Sequence, residues 1–293
     1  MSRRVAVAII HGVGDQGPEF AQAMSEKLKA QLNSIIPDQV AANIEDHFCI
    51  KPIFWASILD KKERRLWQTI NADEDLNFDS LRRFMLSFVG DAVAYQPSQT
   101  RHQVYAQIHE RYQMVLQDLA IQAGGEAPLC IIAHSLGTII TNNFFFDLGR
   151  ALAENPQQPP GRTPLESGQT LALVYTLGSP LALWSLRYDN YVPPPFPGPM
   201  LADLYPNVRP QWVNFYDKDD IIGYPMRSIS PGYAELARQG LLEDRQVNVG
   251  GLLSSWNILS HFGYWTDPDV VDPIANSLFE LWQAINPPDN YSI

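Results

Sequence analysis

The feature that most constrains this chain is a series of short, continuously apolar runs separated by helical patterns, as in "VAVAII" (5–10), "PLCIIA" (128–133) and "TLALVYTLG" (170–178). A run without polar alternation suits a strand buried on both faces, and such strands belong to parallel sheets covered by helices. The pattern predicts strands at 4–10, 49–56, 128–133, 170–178 and 211–217, with a weaker one at 245–250. Pro52 weakens the second, because proline cannot donate to a ladder. Helices are predicted over 18–36, with Pro18 in the first turn, over 136–152 and over 270–285. The expected fold is α/β: one domain, 1–293, with a mostly parallel central sheet and helices on both faces.

Two insertions, 57–127 and 181–209, break the rhythm and are candidate cap or lid elements. Within the first, 80–95 and 101–122 read as helices. The second holds "YVPPPFPGPM" (191–200), a stiff loop suited to covering a pocket. "NPQQPPGRTP" (155–164) reads as a plain surface connection. "FMLSFVGDAVAY" (84–95) is expected to be a buried helix or a cap, because Gly90 and Asp91 interrupt its apolar face; transient contact with a membrane surface is the alternative.

A net charge of −11 without a basic cluster argues against nucleic acid as a partner. "KKERR" (61–65), broken by Glu63, reads as a solvated helix face. Cys49 and Cys130 both fall in predicted strands and read as buried thiols, with no disulfide framework, metal cluster or cofactor implied. The basic N-terminus precedes six apolar residues and a Gly-rich turn, which fits a first strand better than a signal peptide. No window approaches the roughly 20 apolar residues of a membrane-spanning helix. The expectation is a soluble, cytoplasmic protein.

Chemistry concentrates at "CIIAHSLGTII" (130–140), where Ser135 falls between a predicted strand and a predicted helix. A serine hydroxyl becomes a nucleophile when a histidine takes its proton and a carboxylate orients that histidine. Small residues on either side, here Ala133 and Gly137, allow the tight strand–helix turn that presents such a serine. On such elbows the triad follows the order serine, acid, histidine. Of the six histidines only His261 lies beyond Ser135, in "LSHFGYW" (259–265). The acid falls in "WVNFYDKDDIIGYP" (212–225), which offers Asp217, Asp219 and Asp220; two of the three are expected to be solvated. Asp220, next to Ile221-Ile222, is preferred, with Asp217 the alternative. Oxyanion donors are expected at the amides of Val13, in "HGVGDQG" (11–17), and of Leu136. That loop is not G-x-G-x-x-G and no P-loop lysine follows, so nucleotide binding is disfavoured. His11 reads as a structural neighbour of the loop.

Together, "AIIHGVGDQ", "IIAHSLGT", "TLGSPL", "FYDKDDIIGYP" and "SHFGYW", in this order over residues 6 to 265, resemble the α/β-hydrolases of the lipase/esterase type. The resemblance implies Ser135 as nucleophile, Asp220 as acid, His261 as base, and Val13 and Leu136 as oxyanion donors. It also implies a substrate rim that includes Gly12, His134, Gly178 and Ser179. The departures are Ala133 in the first small position and no N-terminal hairpin ahead of the first strand. The implied activity is hydrolysis of a carboxylic ester with an apolar, lipid-like acyl part. Acyl transfer or thioester hydrolysis on the same triad is the alternative, and a hydrolase-fold binding protein without turnover is the third.

Overall fold

In a computed structural model of the chain, the described residues are 2–13, 17–37, 43–70, 79–96, 103–249 and 258–287. Their strands are β1 (Val5–Ile10), β2 (Phe48–Ile53), β3 (Leu129–His134), β4 (Leu171–Leu177), β5 (Gln211–Asp217) and β6 (Leu242–Val247). They form one sheet in the order β2-β1-β3-β4-β5-β6, and every neighbouring pair is parallel. The helices are α1 (Gln22–Ile35), α2 (Asp60–Ile70), α3 (Asp79–Ala94), α4 (Gln103–Ala123), α5 (Leu136–Glu154), α6 (Leu181–Ser185), α7 (Leu201–Leu204), α8 (Pro231–Arg238) and α9 (Pro268–Ile285).

The sheet is the middle of three layers. Ala6, Ala8 and Ile10 of β1 and Leu129, Ile131 and Ala133 of β3 pack on one face with residues of α4, α5 and α8. Val5, Val7 and Ile9, with Cys130 and Ile132, pack on the other with α1 and α9. Every residue of β1, β3 and β4 is buried, which is why these runs carry no polar alternation. Cys49 and Cys130 are buried free thiols.

Three boundaries differ from the sequence reading, each for a local reason. Helix α1 begins at Gln22, so Pro18 lies in the turn before it and not in its first turn. The second strand ends at Ile53 and keeps Pro52, which is tolerated because β2 is an edge strand. Strand β6 spans 242–247 instead of 245–250. Its middle, Glu243 to Gln246, is polar because β6 is the opposite edge and only half covered.

The insertions are largely part of the body. Helix α4 buries Val104, Ile108, Tyr112, Leu116 and Leu119 in the sheet's own core, so this part of 57–127 covers the sheet and is no cap. The proline-rich segment of 181–209 is likewise not laid over the carboxyl end of the sheet. It runs down α5: Asn142 donates to Tyr191 Oη (2.8 Å), and Gly198 N donates to Leu171 O (2.8 Å) at the start of β4. Helices α2 and α3 pack on each other, with Ser87 Oγ donating to Glu63 (2.9 Å). The expected burial of 84–95 holds in part: Tyr95 is buried and Phe88, Ala92 and Ala94 pack against the core. Asp91 is buried, whereas Met85, Val89 and Val93, four residues apart along α3, are exposed. Helix α2, which carries "KKERR", buries no residue.

Strand β1 has β2 on one side and β3 on the other. The chain leaves β1 into α1 on one face and leaves β3 into α5 on the opposite face. This reversal is a topological switch point, where the diverging connections open a crevice at the carboxyl ends of the strands.

Candidate active site

Ser135 sits at that crevice, between β3 and α5. Its backbone is at φ 53° and ψ −127°. Among the described residues it has the one positive φ outside glycine. Such a conformation costs about 1–3 kcal/mol and persists only where the surroundings over-determine it. Here they do: Ser135 N donates to Leu177 O (2.9 Å), and its carbonyl accepts from Thr138 N (2.9 Å) and Thr138 Oγ1 (2.7 Å). Because Thr138 Oγ1 spends its proton on Ser135 O, it accepts the hydroxyl proton of Ser179 at 2.8 Å. The Ser135 hydroxyl itself is fully buried and has no hydrogen-bond partner among the described residues.

The end of β1 lies directly against the serine. A Cβ on Gly12 would fall on Ser135 Cβ and lie 2.9 Å from Oγ, so only glycine allows this approach. His11 fixes the loop. Its Nε2 accepts from Trp55 N (3.1 Å), which leaves the proton on Nδ1 to donate to Gly12 O (2.7 Å). Trp55 stacks on the ring at 4.9 Å and donates from Nε1 to His11 O (2.9 Å). Burial lowers the His11 pKa to about 4, so the ring is neutral and structural. Val13 and Leu136 are both buried; Val13 follows Gly12 in the loop after β1, and Leu136 opens α5. Gly14 lies outside the described residues.

Of the three acids, it is Asp220 that meets His261. Asp220 Oδ2 accepts from His261 Nδ1 (2.9 Å) and from Tyr264 Oη (3.0 Å), and Oδ1 accepts from Ile222 N (3.0 Å). Burial pushes Asp220 up, but the His261 hydrogen bond and charge, the Ile222 amide and the Tyr264 hydroxyl together hold it below the ordinary carboxylate value. Asp217 does not reach the histidine: it accepts from Asp219 N (2.9 Å) and Val249 N (2.7 Å), tying the loop after β5 to the loop after β6. Two solvated acids were expected, yet only Asp219 is exposed; Asp217 is buried because it satisfies backbone donors. The far end of the acid loop is clamped by Asp244 of β6, which accepts from Met226 N (2.7 Å) and Arg227 N (3.0 Å).

His261 and Tyr264 share a 3₁₀ segment, Ile258–Trp265. With three residues per turn, side chains three apart eclipse, so both reach Asp220 from one side. His134 Nε2 donates to His261 O (2.6 Å), joining the residue before Ser135 to the backbone of the histidine. Burial, with the neighbouring His261 adding to it, lowers His134 to about 3 and keeps it neutral.

The expected rim is a buried support. His134 and Ser179 are inaccessible, and Gly178 packs beneath the acid–histidine pair. Gly178 has φ 54°, and a Cβ there would lie 2.8 Å from Asp220 Oδ2 and 3.1 Å from His261 Cε1. A cavity of about 370 Å³ opens elsewhere, between β6 and the start of α9, lined by Arg245, Val247, Pro268 and Asp272 among others; it contains none of Ser135, Asp220 and His261. Among the described residues no group of His, Cys, Asp and Glu is arranged to hold a metal ion, and no helix is long and apolar enough to cross a membrane.

No family model, no curated protein and no solved structure matches this chain. The local chemistry must therefore carry the functional reading. Sequence reasoning missed Tyr264, Asp244 and the clasp at Asp217. The signal for Tyr264 was its spacing of three from His261, which acts only once that segment is 3₁₀.

Proposed function

We propose that the chain is a serine hydrolase of the α/β-hydrolase type, cleaving a carboxylic ester through Ser135, Asp220 and His261. The observation that carries the reading is the conjunction of a strained serine at the switch point with a buried, hydrogen-bonded Asp220–His261 pair beside it. A strained, over-determined backbone at a serine is what presentation of a nucleophile requires. An ionised Asp220 accepting from Nδ1 fixes the His261 tautomer with Nε2 free of a proton, the form able to take the serine proton.

In the proposed cycle Ser135 Oγ attacks the ester carbonyl while its proton passes to His261 Nε2. For that transfer Ser135 Oγ donates to His261 Nε2 within hydrogen-bond reach. The oxyanion falls to the amides of Val13 and Leu136, where the first turn of α5 adds its dipole. Collapse expels the alcohol with the proton from His261. Water activated by His261 then hydrolyses the acyl-enzyme. The exposed line Met85, Val89 and Val93 on α3 supports transient contact with a lipid surface. The two free, buried thiols accord with a cytoplasmic setting.

A panel of p-nitrophenyl esters of increasing chain length, run on wild type and Ser135→Ala, tests the reading. Wild type should turn over these esters and Ser135→Ala should lose at least 1,000-fold in kcat, about 4 kcal/mol. A folded Ser135→Ala variant with full activity would remove Ser135 from the mechanism.

A further inference from the structure

Tyr264 stands behind the acid in an arrangement that the serine chemistry alone does not require. Its ring is fully buried and its hydroxyl makes two hydrogen bonds of fixed direction. Asp217 N donates to Tyr264 Oη at 2.8 Å, and Tyr264 Oη, 3.0 Å from Asp220 Oδ2, has its own proton left for that carboxylate. The same oxygen, Oδ2, receives His261 Nδ1–H. The hydroxyl and the imidazole thus share one carboxylate oxygen, and the backbone of β5 polarises the hydroxyl from behind.

We infer that Tyr264 is a positioning residue that sets the proton affinity of His261 through Asp220 and couples it to the end of β5. The inference rests on the triad proposed above. Each donor to Oδ2 neutralises part of its charge. With Tyr264 in place, Asp220 orients His261 without holding the imidazolium so tightly that the proton fails to reach the leaving group. Among the described residues, the other ionisable side chains facing the pair are Asp217 from β5 and His134 from β3, with His11 from the loop after β1 beyond it. The two histidines are neutral through burial, and Asp217 is engaged by backbone amides. Tyr264 is therefore the adjustable donor. Burial, with the charge of Asp220, raises its pKa, so it keeps its proton throughout the working range.

The test is the titration midpoint of His261, read by NMR on full-length protein labelled in histidine, which does not depend on turnover. Tyr264→Phe keeps the ring and removes the donor. The expected midpoint moves up by about one unit, the size of one lost hydrogen bond to a charged group. The acid limb of kcat/KM should move with it. Because Tyr264→Phe also strips Asp217 N of its acceptor and can cost folding, a second variant carries 3-fluorotyrosine at 264. This stronger donor leaves the packing intact and should move the midpoint the other way, down by a few tenths. Opposite shifts in the two variants support the role. A midpoint unchanged in the fluorotyrosine protein overturns it. Fluorophosphonate labelling of wild type runs in parallel. A labelled Ser135 with an unmoved midpoint sinks the inference and leaves the triad standing. An unlabelled Ser135 sinks the triad and the inference with it.

Discussion

The choice between Asp220 and Asp217 yields the sharpest mutational prediction. Asp220→Asn preserves size and can still accept from Ile222 N, as Oδ1 does at 3.0 Å. The other arm becomes an NH2 group facing two donors, His261 Nδ1–H and the Tyr264 hydroxyl, where Oδ2 now accepts both at 2.9 and 3.0 Å. The imidazole escapes the clash by moving its proton to Nε2, and in that tautomer it cannot accept from Ser135. The expected loss is about 1,000- to 10,000-fold in kcat, or 4–5.5 kcal/mol. Asp217→Asn removes one of two acceptors for backbone amides, those of Asp219 and Val249. Its cost is about 1–3 kcal/mol of stability, with less than a tenfold change in kcat below the melting transition. Ester hydrolysis at saturating substrate, paired with thermal melts of the same samples, separates the two effects. A folded Asp220→Asn protein with near-normal kcat, beside an inactive but folded Asp217→Asn protein, would refute the assignment.

Other consequences follow from the same contacts. Gly178→Ala forces a Cβ into a φ of 54° and 2.8 Å from Asp220 Oδ2; the melting temperature should fall, by about 1–3 kcal/mol of stability, and activity should fall with it. Gly12→Ala pushes directly on Ser135 and should abolish turnover and cost about 1–3 kcal/mol of stability, as read by activity against a melt. His11 and His134 have folded pKa values lowered by burial to about 4 and about 3 from 6.5. The unfolded chain binds more protons below pH 6.5, so stability should fall as the pH drops from 6.5 to 5, by about 2 kcal/mol per group. Urea midpoints across that window check it, and His11→Asn should flatten the slope. Asp220 acts at lower pH: its depressed folded pKa gives stability present above the unfolded value near 4 and lost below it, a dependence that Asp220→Asn should lack.

The central strands were legible because β1, β3 and β4 are buried on both faces and leave runs of one character. The edges were not. β6 carries Glu243, Asp244 and Arg245 because one side meets solvent, so its start escapes an apolar scan. In helix α3 the inward placing of Asp91, and the outward placing of Met85, Val89 and Val93 beside the core-packed Phe88, Ala92 and Ala94, could not be read from the pattern. At the candidate site, the proposed Ser135, Asp220 and His261 were picked out by residue type and order. The supports could not be: Tyr264 acts through 3₁₀ geometry, His134 through a bond to a distant backbone carbonyl, and Asp217 through amides 2 and 32 positions away. Such contacts depend on tertiary placement that local pattern does not encode.

The central claim is that Ser135 is a nucleophile activated by His261. Fluorophosphonate labelling of the folded wild-type protein, followed by peptide mapping, tests it most directly. The account predicts a single adduct on Ser135, formed at least 100-fold more slowly in His261→Ala. Labelling at another residue, or none at Ser135 in well-folded protein, would contradict it.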